Sequence, residues 1–223
     1  VKKFQKQGLP VISVDAKKKE LVGNFKNAGQ SWRKEAEKVN AHDFPQDAEC
    51  RVSQYGIYDP ERNEGHVCTT ASSDTPELAT DAIADWWRLH GPDYPRAKRL
   101  MIEADAGGSN AARSRCFKKG LQEFVNETGL EVTVCHYPPG ASTWNPIEHR
   151  LFSQITATWA GYVLSTLAVL LGFIRRTTTR TGLKVTATHF EKIYSTGQRV
   201  SNAEFKTFRI ARHDICPQWN YTI

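Results

Sequence analysis

The sequence is short of methionine, having only Met101, and it begins with Val1 rather than an initiator. It is therefore expected to be a portion of a longer protein. Its basic start, VKKFQKQGLP, has no apolar core behind it, so a secretory signal pattern is missing. Cysteine is sparse: Cys50, Cys68, Cys116, Cys135 and Cys216 form an odd set with no CxxC pair. That argues against a disulfide framework or a thiolate zinc site and fits a reducing, cytoplasmic compartment. Internal repeats and low-complexity tracts are absent. Neither sign of charge dominates strongly, since 30 Lys plus Arg stand against 24 Asp plus Glu for a net +6 and a pI near 9.1. A nucleic-acid partner fits that bias, but so does a plain soluble domain. Long uncharged runs are limited to Ile155–Ile174, followed by Arg175 and Arg176. Thr156, Thr158, Ser165, Thr166 and two glycines interrupt it, and its start continues an amphipathic stripe. A buried helix followed by a second short helix is expected there rather than a membrane span.

What is present alternates between strand and helix signals. PVISVDA, from Pro10 to Ala16, predicts a strand with Val11, Ser13 and Asp15 on one face and Ile12 and Val14 on the other. A polar stretch follows through Asp47, anchored by Phe25, Trp32 and Phe44. Arg51–Tyr58 and Gly65–Ala71 flank the turn-rich DPERNEG and suggest a hairpin. Thr75, Pro76 and Glu77 open a helix whose inward stripe is Leu78, Ala82, Ile83, Trp86 and Trp87, closing near Gly91 and Pro92. RLMIEAD, from Arg99 to Asp105, is a strand; Ser109 or Asn110 then caps a helix that runs to about Thr128. Leu130–His136 is another strand, and PPG separates it from a last helix around Glu148. The order βββαβαβα implies an α/β fold with a mixed sheet flanked by helices. Beyond it lie RRTTTRTGLK, a strand-like LKVTATHF and a final WNYTI.

Three acids occupy strand ends and a helix start, where open sheets gather functional groups. Glu148 shares the apolar stripe of Leu151, Phe152, Ile155 and Trp159, although Asn145, Pro146 and Glu148 also fit a capping box. Asp15 precedes Lys17, Lys18 and Lys19 and has a surface ion pair as its ordinary reading. Asp105 precedes Gly107 and has a turn acceptor as its own, with Glu103 on the same face as a rival. The alternative is convergence of the acids on divalent cations, because hard oxygen ligands suit Mg²⁺ or Mn²⁺. Arg113, Arg115, Lys118 and Lys119 crowd the polar side of the preceding helix and read as a solvated face.

PVISVDAKKKELVGNFKNAGQSW, KVNAHDF, EADAGGSN, CHYPPGASTWNPIEHRLFS, TTTRTGLKV and WNYTI together resemble the DDE transposase domain of the Rhodopirellula-type insertion-sequence family. The resemblance spans nearly the whole chain, and with the abrupt start it implies an N-terminal DNA-binding domain outside this sequence. It implies an RNase H-like mixed five-stranded sheet flanked by helices, as a core over residues 1–160, with a C-terminal α/β extension over 161–223. It carries the catalytic and metal-ligating roles onto Asp15, Asp105 and Glu148, with two Mg²⁺ (or Mn²⁺) ions as cofactors. The reaction it implies is cleavage and strand transfer of DNA. The implied partners are double-stranded DNA, at element ends and target, and further copies of the chain in a homo-oligomer near the nucleoid, with no membrane. Lys17, Lys18, Lys19, His149, Arg150, Arg175, Arg176 and Arg180 are the expected DNA contacts. A nuclease of the same fold that cuts without joining, and a non-catalytic DNA-binding copy, are the alternatives. The sequence departs from the family pattern in the apolar WAGYVLSTLAVLLGF, in Ala106 where Gly is usual, and in HDICPQWNY.

Overall fold

The structure, a computed structural model, describes residues 1–32, 34–35, 38–41 and 45–223. Its elements in chain order are α1 (Lys2–Gln5), β1 (Val11–Val22), β2 (Cys50–Asp59), β3 (Glu64–Thr70), α2 (Pro76–His90), β4 (Arg99–Asp105), α3 (Arg115–Thr128) and β5 (Glu131–Tyr137). A π-helical turn (Glu148–Phe152) then runs into α4 (Ser153–Thr158), followed by α5 (Leu167–Arg175), β6 (Lys184–His189), α6 (Asn202–Phe205), β7 (Ala211–Arg212) and β8 (Asn220–Thr222). One sheet of eight strands has the order β6-β3-β2-β1-β4-β5-β8-β7. The five expected strands are its contiguous centre. Residues 161–223 add the rest, β6 parallel to β3 at one edge and β8 antiparallel to β5 at the other, with β7 outside it.

Several local expectations change. β1 continues past Ala16 to Val22, because its ladder with β2 persists from Lys17 opposite Gln54 to Val22 opposite Cys50 across a bulge. Backbone pairing here overrides the low strand preference of three successive lysines. α3 starts at Arg115, capped by the Ser114 hydroxyl, rather than at Ser109 or Asn110. Asn110 is occupied otherwise: its amide donates to the Asp105 carbonyl at 2.9 Å and shapes the loop after β4. Phe25 is a buried anchor, whereas Trp32 is fully exposed because no described element covers it. The third expected anchor, Phe44, lies outside the described residues. Ile155–Ile174 forms α4, a turn and α5, whose Leu170, Phe173 and Ile174 are buried. Among the described residues no helix is long and apolar enough to cross a membrane.

Alternation along the strands divides the core between the two sheet faces. Ile12, Val14, Tyr55, Ile57, Ile102 and Val134 pack against Leu78, Ile83 and Trp86 of α2 and Phe117 and Leu121 of α3. On the other face Val52, Tyr58 and Val67 meet Ile147, Leu151, Phe152 and Ile155 of the Glu148 helix, with α5 beyond. That helix lies very close to the sheet because two strand positions have no side chain. A Cβ on Gly56 would overlap the Phe152 ring, and one on Gly65 would overlap Leu151. Gly56 is also the residue directly opposite Asp15. The expected outcome of Gly56→Ala is therefore a loss of about 1–3 kcal/mol from overpacking, read by denaturant unfolding. Unchanged stability would refute this close-docking account.

Candidate active site

β1 and β4 run parallel, and their last paired residues are Val14 and Ala104. Asp15, midway along β1, and Asp105, the last residue of β4, therefore stand side by side just where the pairing of these two strands ends, on one face. Glu148 reaches the same place from the chain that follows β5, at the first residue of the π-helical turn. Such turns widen a helix locally and recur at functional sites.

The helix start is fastened directly to β1. The Asn145 side chain does not act as the expected N-cap; it turns into the sheet. Its amide donates to the Val14 carbonyl and to Asp105 Oδ1, both at 3.2 Å, and its Oδ1 accepts from the Ser13 hydroxyl. The same hydroxyl oxygen accepts from the Ile147 N–H at 3.1 Å, so a strand serine supplies the oxygen that a cap residue would have offered. Asn145 and Ser13 are both fully buried, and every polar atom of this pair is engaged. Glu148 keeps only the backbone part of the capping-box reading, an N–H bond to the Asn145 carbonyl at 3.2 Å.

Asp15 feels both other acids. Its carboxyl is pushed from the ordinary 3.8 to about 7, first by burial and then by the charge of Asp105, with the charge and side-chain contact of Glu148 adding; only the Ala16 N–H opposes them. Among the described residues none of the three carboxylates has a salt-bridge partner, and the neighbouring Lys17 pairs with Glu20 instead. Glu103 does not join the set, since its carboxylate accepts from the Tyr137 hydroxyl at 3.1 Å.

A cleft of about 1400 Å³ opens beside Asp15 and Asp105 and is lined by Lys17, Lys18, Lys19, Arg113 and Arg115. Glu148 lines an adjoining cleft of about 650 Å³ with Lys17 and Lys18. Lys18 and Lys19 are exposed, while Lys17 lies over the Trp159 ring at 4.8 Å. His149 is exposed and bonds the Thr143 carbonyl at 2.9 Å; Arg150, also exposed, has its charge beside Tyr58. Arg175, Arg176 and Arg180 are exposed but lie elsewhere, at the end of α5 and the turn before β6, and line neither cleft. Arg175 donates to the Ala187 carbonyl and Arg176 covers the Phe173 ring.

Sequence reasoning missed four residues here. Ser13 and Asn145 are buried polar groups whose partners lie more than 130 positions apart, a pairing with no local signal. Lys118 is buried rather than solvated, because the C-terminal residues fold back over α3. Its ammonium donates to the Ala112 carbonyl and lies 4.8 Å from the Tyr221 ring, and burial followed by the Arg212 charge lowers it to about 8. Both Lys118 and Arg212 line the larger cleft.

A family model described as Rhodopirellula transposase DDE domain matches residues 1–223. No curated protein matches the chain. Among solved structures, the Mos1 transposase paired-end complex with left transposon end is similar at a TM-score of 0.53 and 11% identity, over 78% of this chain and 49% of that one. The Mos1 mariner paired end complex with Mn is similar at a TM-score of 0.49 and 12% identity, with the same coverage. The chain thus spans about half the length of the solved transposases it matches. At this identity the likeness establishes the fold, which is RNase H-like.

The raised Asp15 value has a definite sign in stability. Between pH 3.8 and about 7 the folded chain keeps a proton that the unfolded chain releases, so stability falls as pH rises through that window and stays lower above it. Asp15→Asn removes the effect. In chelator it should exceed the parent by on the order of 2–4 kcal/mol at pH 8, with the gap closing towards pH 4. Thermal unfolding across pH checks this, and a gap that does not change with pH would contradict it.

Proposed function

The chain belongs to the Rhodopirellula transposase DDE domain family, and on that footing we propose that it cuts and joins DNA, with Asp15, Asp105 and Glu148 as its catalytic acids. The observation that carries this reading is the convergence of the three carboxylates. The middle of β1, the end of β4 and the π-helical turn bring them close enough for Asp15 to be raised by both others. A set used only for capping or turns would not accumulate unneutralised negative charge beside a large cleft.

The donor set fits divalent cations. Three hard oxygen groups with no salt-bridge partner among the described residues, one raised by burial and then by the charges of the other two, would be relieved by a metal ion. Asp15, Asp105 and Glu148 would hold Mg²⁺ or Mn²⁺, as two ions. When bound, such ions lower the barrier by activating an attacking oxygen and stabilising a leaving one.

The chain's own residues position the reactants. Asn145 fixes Asp105 relative to β1, and Ser13 fixes the start of the Glu148 helix, so the carboxylates are preorganised before DNA arrives. Lys18, Lys19, Arg113 and Arg115 line the entrance to Asp15 and Asp105 and neutralise backbone phosphates. Lys17 contributes less, being paired with Glu20. His149 and Arg150 flank Glu148 on the exposed side and contact the strand that leaves the site. Arg175, Arg176 and Arg180, away from the clefts, bind DNA further along its path. Residues 1–160 act as the catalytic core with 161–223 as its extension, and homo-oligomers hold the paired element ends together with the target duplex.

Strand cleavage and joining on a pre-nicked oligonucleotide carrying the element end, with Mg²⁺ or Mn²⁺, tests this. Glu148→Gln should lower both by on the order of a hundredfold or more, since a metal clamp is worth several kcal/mol at the transition state. Equal activity of folded parent and variant would return Glu148 to a structural role. Cleavage without joining would identify a nuclease. Lys18→Ala with Lys19→Ala should weaken DNA binding and flatten its salt dependence by about one or two phosphate contacts, measured as the slope of affinity against salt.

A further inference from the structure

A second cluster lies on the opposite face of the sheet, between β3 and α2. His66 and Cys68 are fully buried neighbours on one face of β3, and the Asp85 side chain, about 10% exposed, meets them from α2. Asp85 Oδ2 is 2.9 Å from His66 Nε2, Cys68 Sγ is 3.3 Å from the same nitrogen, and the sulfur and carboxylate oxygen are 3.9 Å apart. A Cys–His–Asp nucleophilic relay would use the two ring nitrogens in series. Here the carboxylate oxygen and the sulfur both approach the same ring nitrogen, so the three atoms surround a point instead of forming a line.

The other ring nitrogen has a partner that suits a metal-bound imidazole. His66 Nδ1 is 2.8 Å from the Thr186 hydroxyl, and that hydroxyl is directed at the Gly65 carbonyl 3.4 Å away. In the tautomer a metal would select, the Thr186 oxygen accepts from Nδ1–H and gives its own proton to Gly65, which leaves the Nε2 lone pair for the cation. The usual tetrahedral zinc bond lengths to nitrogen, oxygen and sulfur place neighbouring ligand atoms about 3.3–3.6 Å apart. The three observed separations bracket that range and need shifts of only about half an ångström.

We propose that His66, Cys68 and Asp85 bind one zinc-class transition-metal ion, with water in the fourth position. Thiolate, imidazole and carboxylate together favour such an ion over Mg²⁺. Loss of the Cys68 thiol proton on binding balances the charge. Arg88 holds the other carboxylate oxygen, Oδ1, at 2.7 Å, the Thr188 hydroxyl also bonds this carboxylate, and Oδ2 is the oxygen turned towards His66 and Cys68. A cleft of about 590 Å³ lined by Asp85, Arg88 and His189 provides the entry path. The adjacent set of Glu64, His90 and Asp93 is a poorer site, because Arg62 already pairs with both of its acids.

Co²⁺ titration of the full chain, followed by absorption, tests the site without any measurement of DNA cleavage. The expected result is one equivalent bound with a thiolate-to-cobalt charge-transfer band, displaced by one equivalent of Zn²⁺ but not by excess Mg²⁺, and retained in Glu148→Gln. Cys68→Ser should abolish the band. Thr186→Val, which only removes the partner orienting His66, should weaken binding about 10–100-fold with the band still present. No band in the folded parent would overturn the proposal and leave a plain His66–Asp85 hydrogen bond. So would a band that survives Cys68→Ser, or unchanged affinity in Thr186→Val.

Discussion

Asp15 faces Asp105 and Glu148 across a partly buried gap, and like charges at such separations push apart. Burial raises the Asp15 value most, and that repulsion raises it further. The surrounding architecture works against it. Parallel pairing of β1 with β4 fixes two of the acids, and the third arrives on a helix that could otherwise lift away. Two strand glycines let Phe152 and Leu151 sink onto the sheet, and the Ser13–Asn145 pair ties the helix start to β1. Apolar contact and buried hydrogen bonds thus hold a constellation that is unfavourable in isolation. Storing strain of this kind is common where a scaffold is built for ligands or chemistry.

Much of this was legible from local patterns, and the parts that were not share a cause. The alternation of VISVD, the stripe of Glu148, Leu151, Phe152 and Ile155, and the RLMIEAD strand announce their elements, because period and burial depend on neighbours in sequence. The family resemblance then pointed to Asp105 over Glu103, which the structure pairs with Tyr137. Side chains that report on distant partners gave no such signal. Asn145 has the look of a cap but its amide reaches β1 and β4; Lys118 has the look of a solvated residue but is covered by Tyr221. Cys68 was invisible to a search for paired cysteines, since its companions are a histidine two residues away and an aspartate on another element.

The basic groups divide in the same way. Lys18, Lys19, Arg113 and Arg115 gather at one cleft although they come from β1 and the approach to α3, whereas Arg175, Arg176 and Arg180 are clustered in sequence yet stand apart from it. Charge density along the chain is a weak guide to charge density in space.

The partner of β5 on its outer side is β8, and Thr222 meets Thr133 across 89 positions of sequence. At ribosomal speeds of about 5–20 residues per second, β5 emerges roughly 4–18 s before the strand that covers it. For that interval the nascent chain carries a bare strand edge next to a nearly complete sheet, a template for pairing with a neighbouring copy on the same message or for capture by a chaperone. The Arg212 and Trp219 wall of the larger cleft is also absent until then, so the cleft is completed only after the sheet is closed.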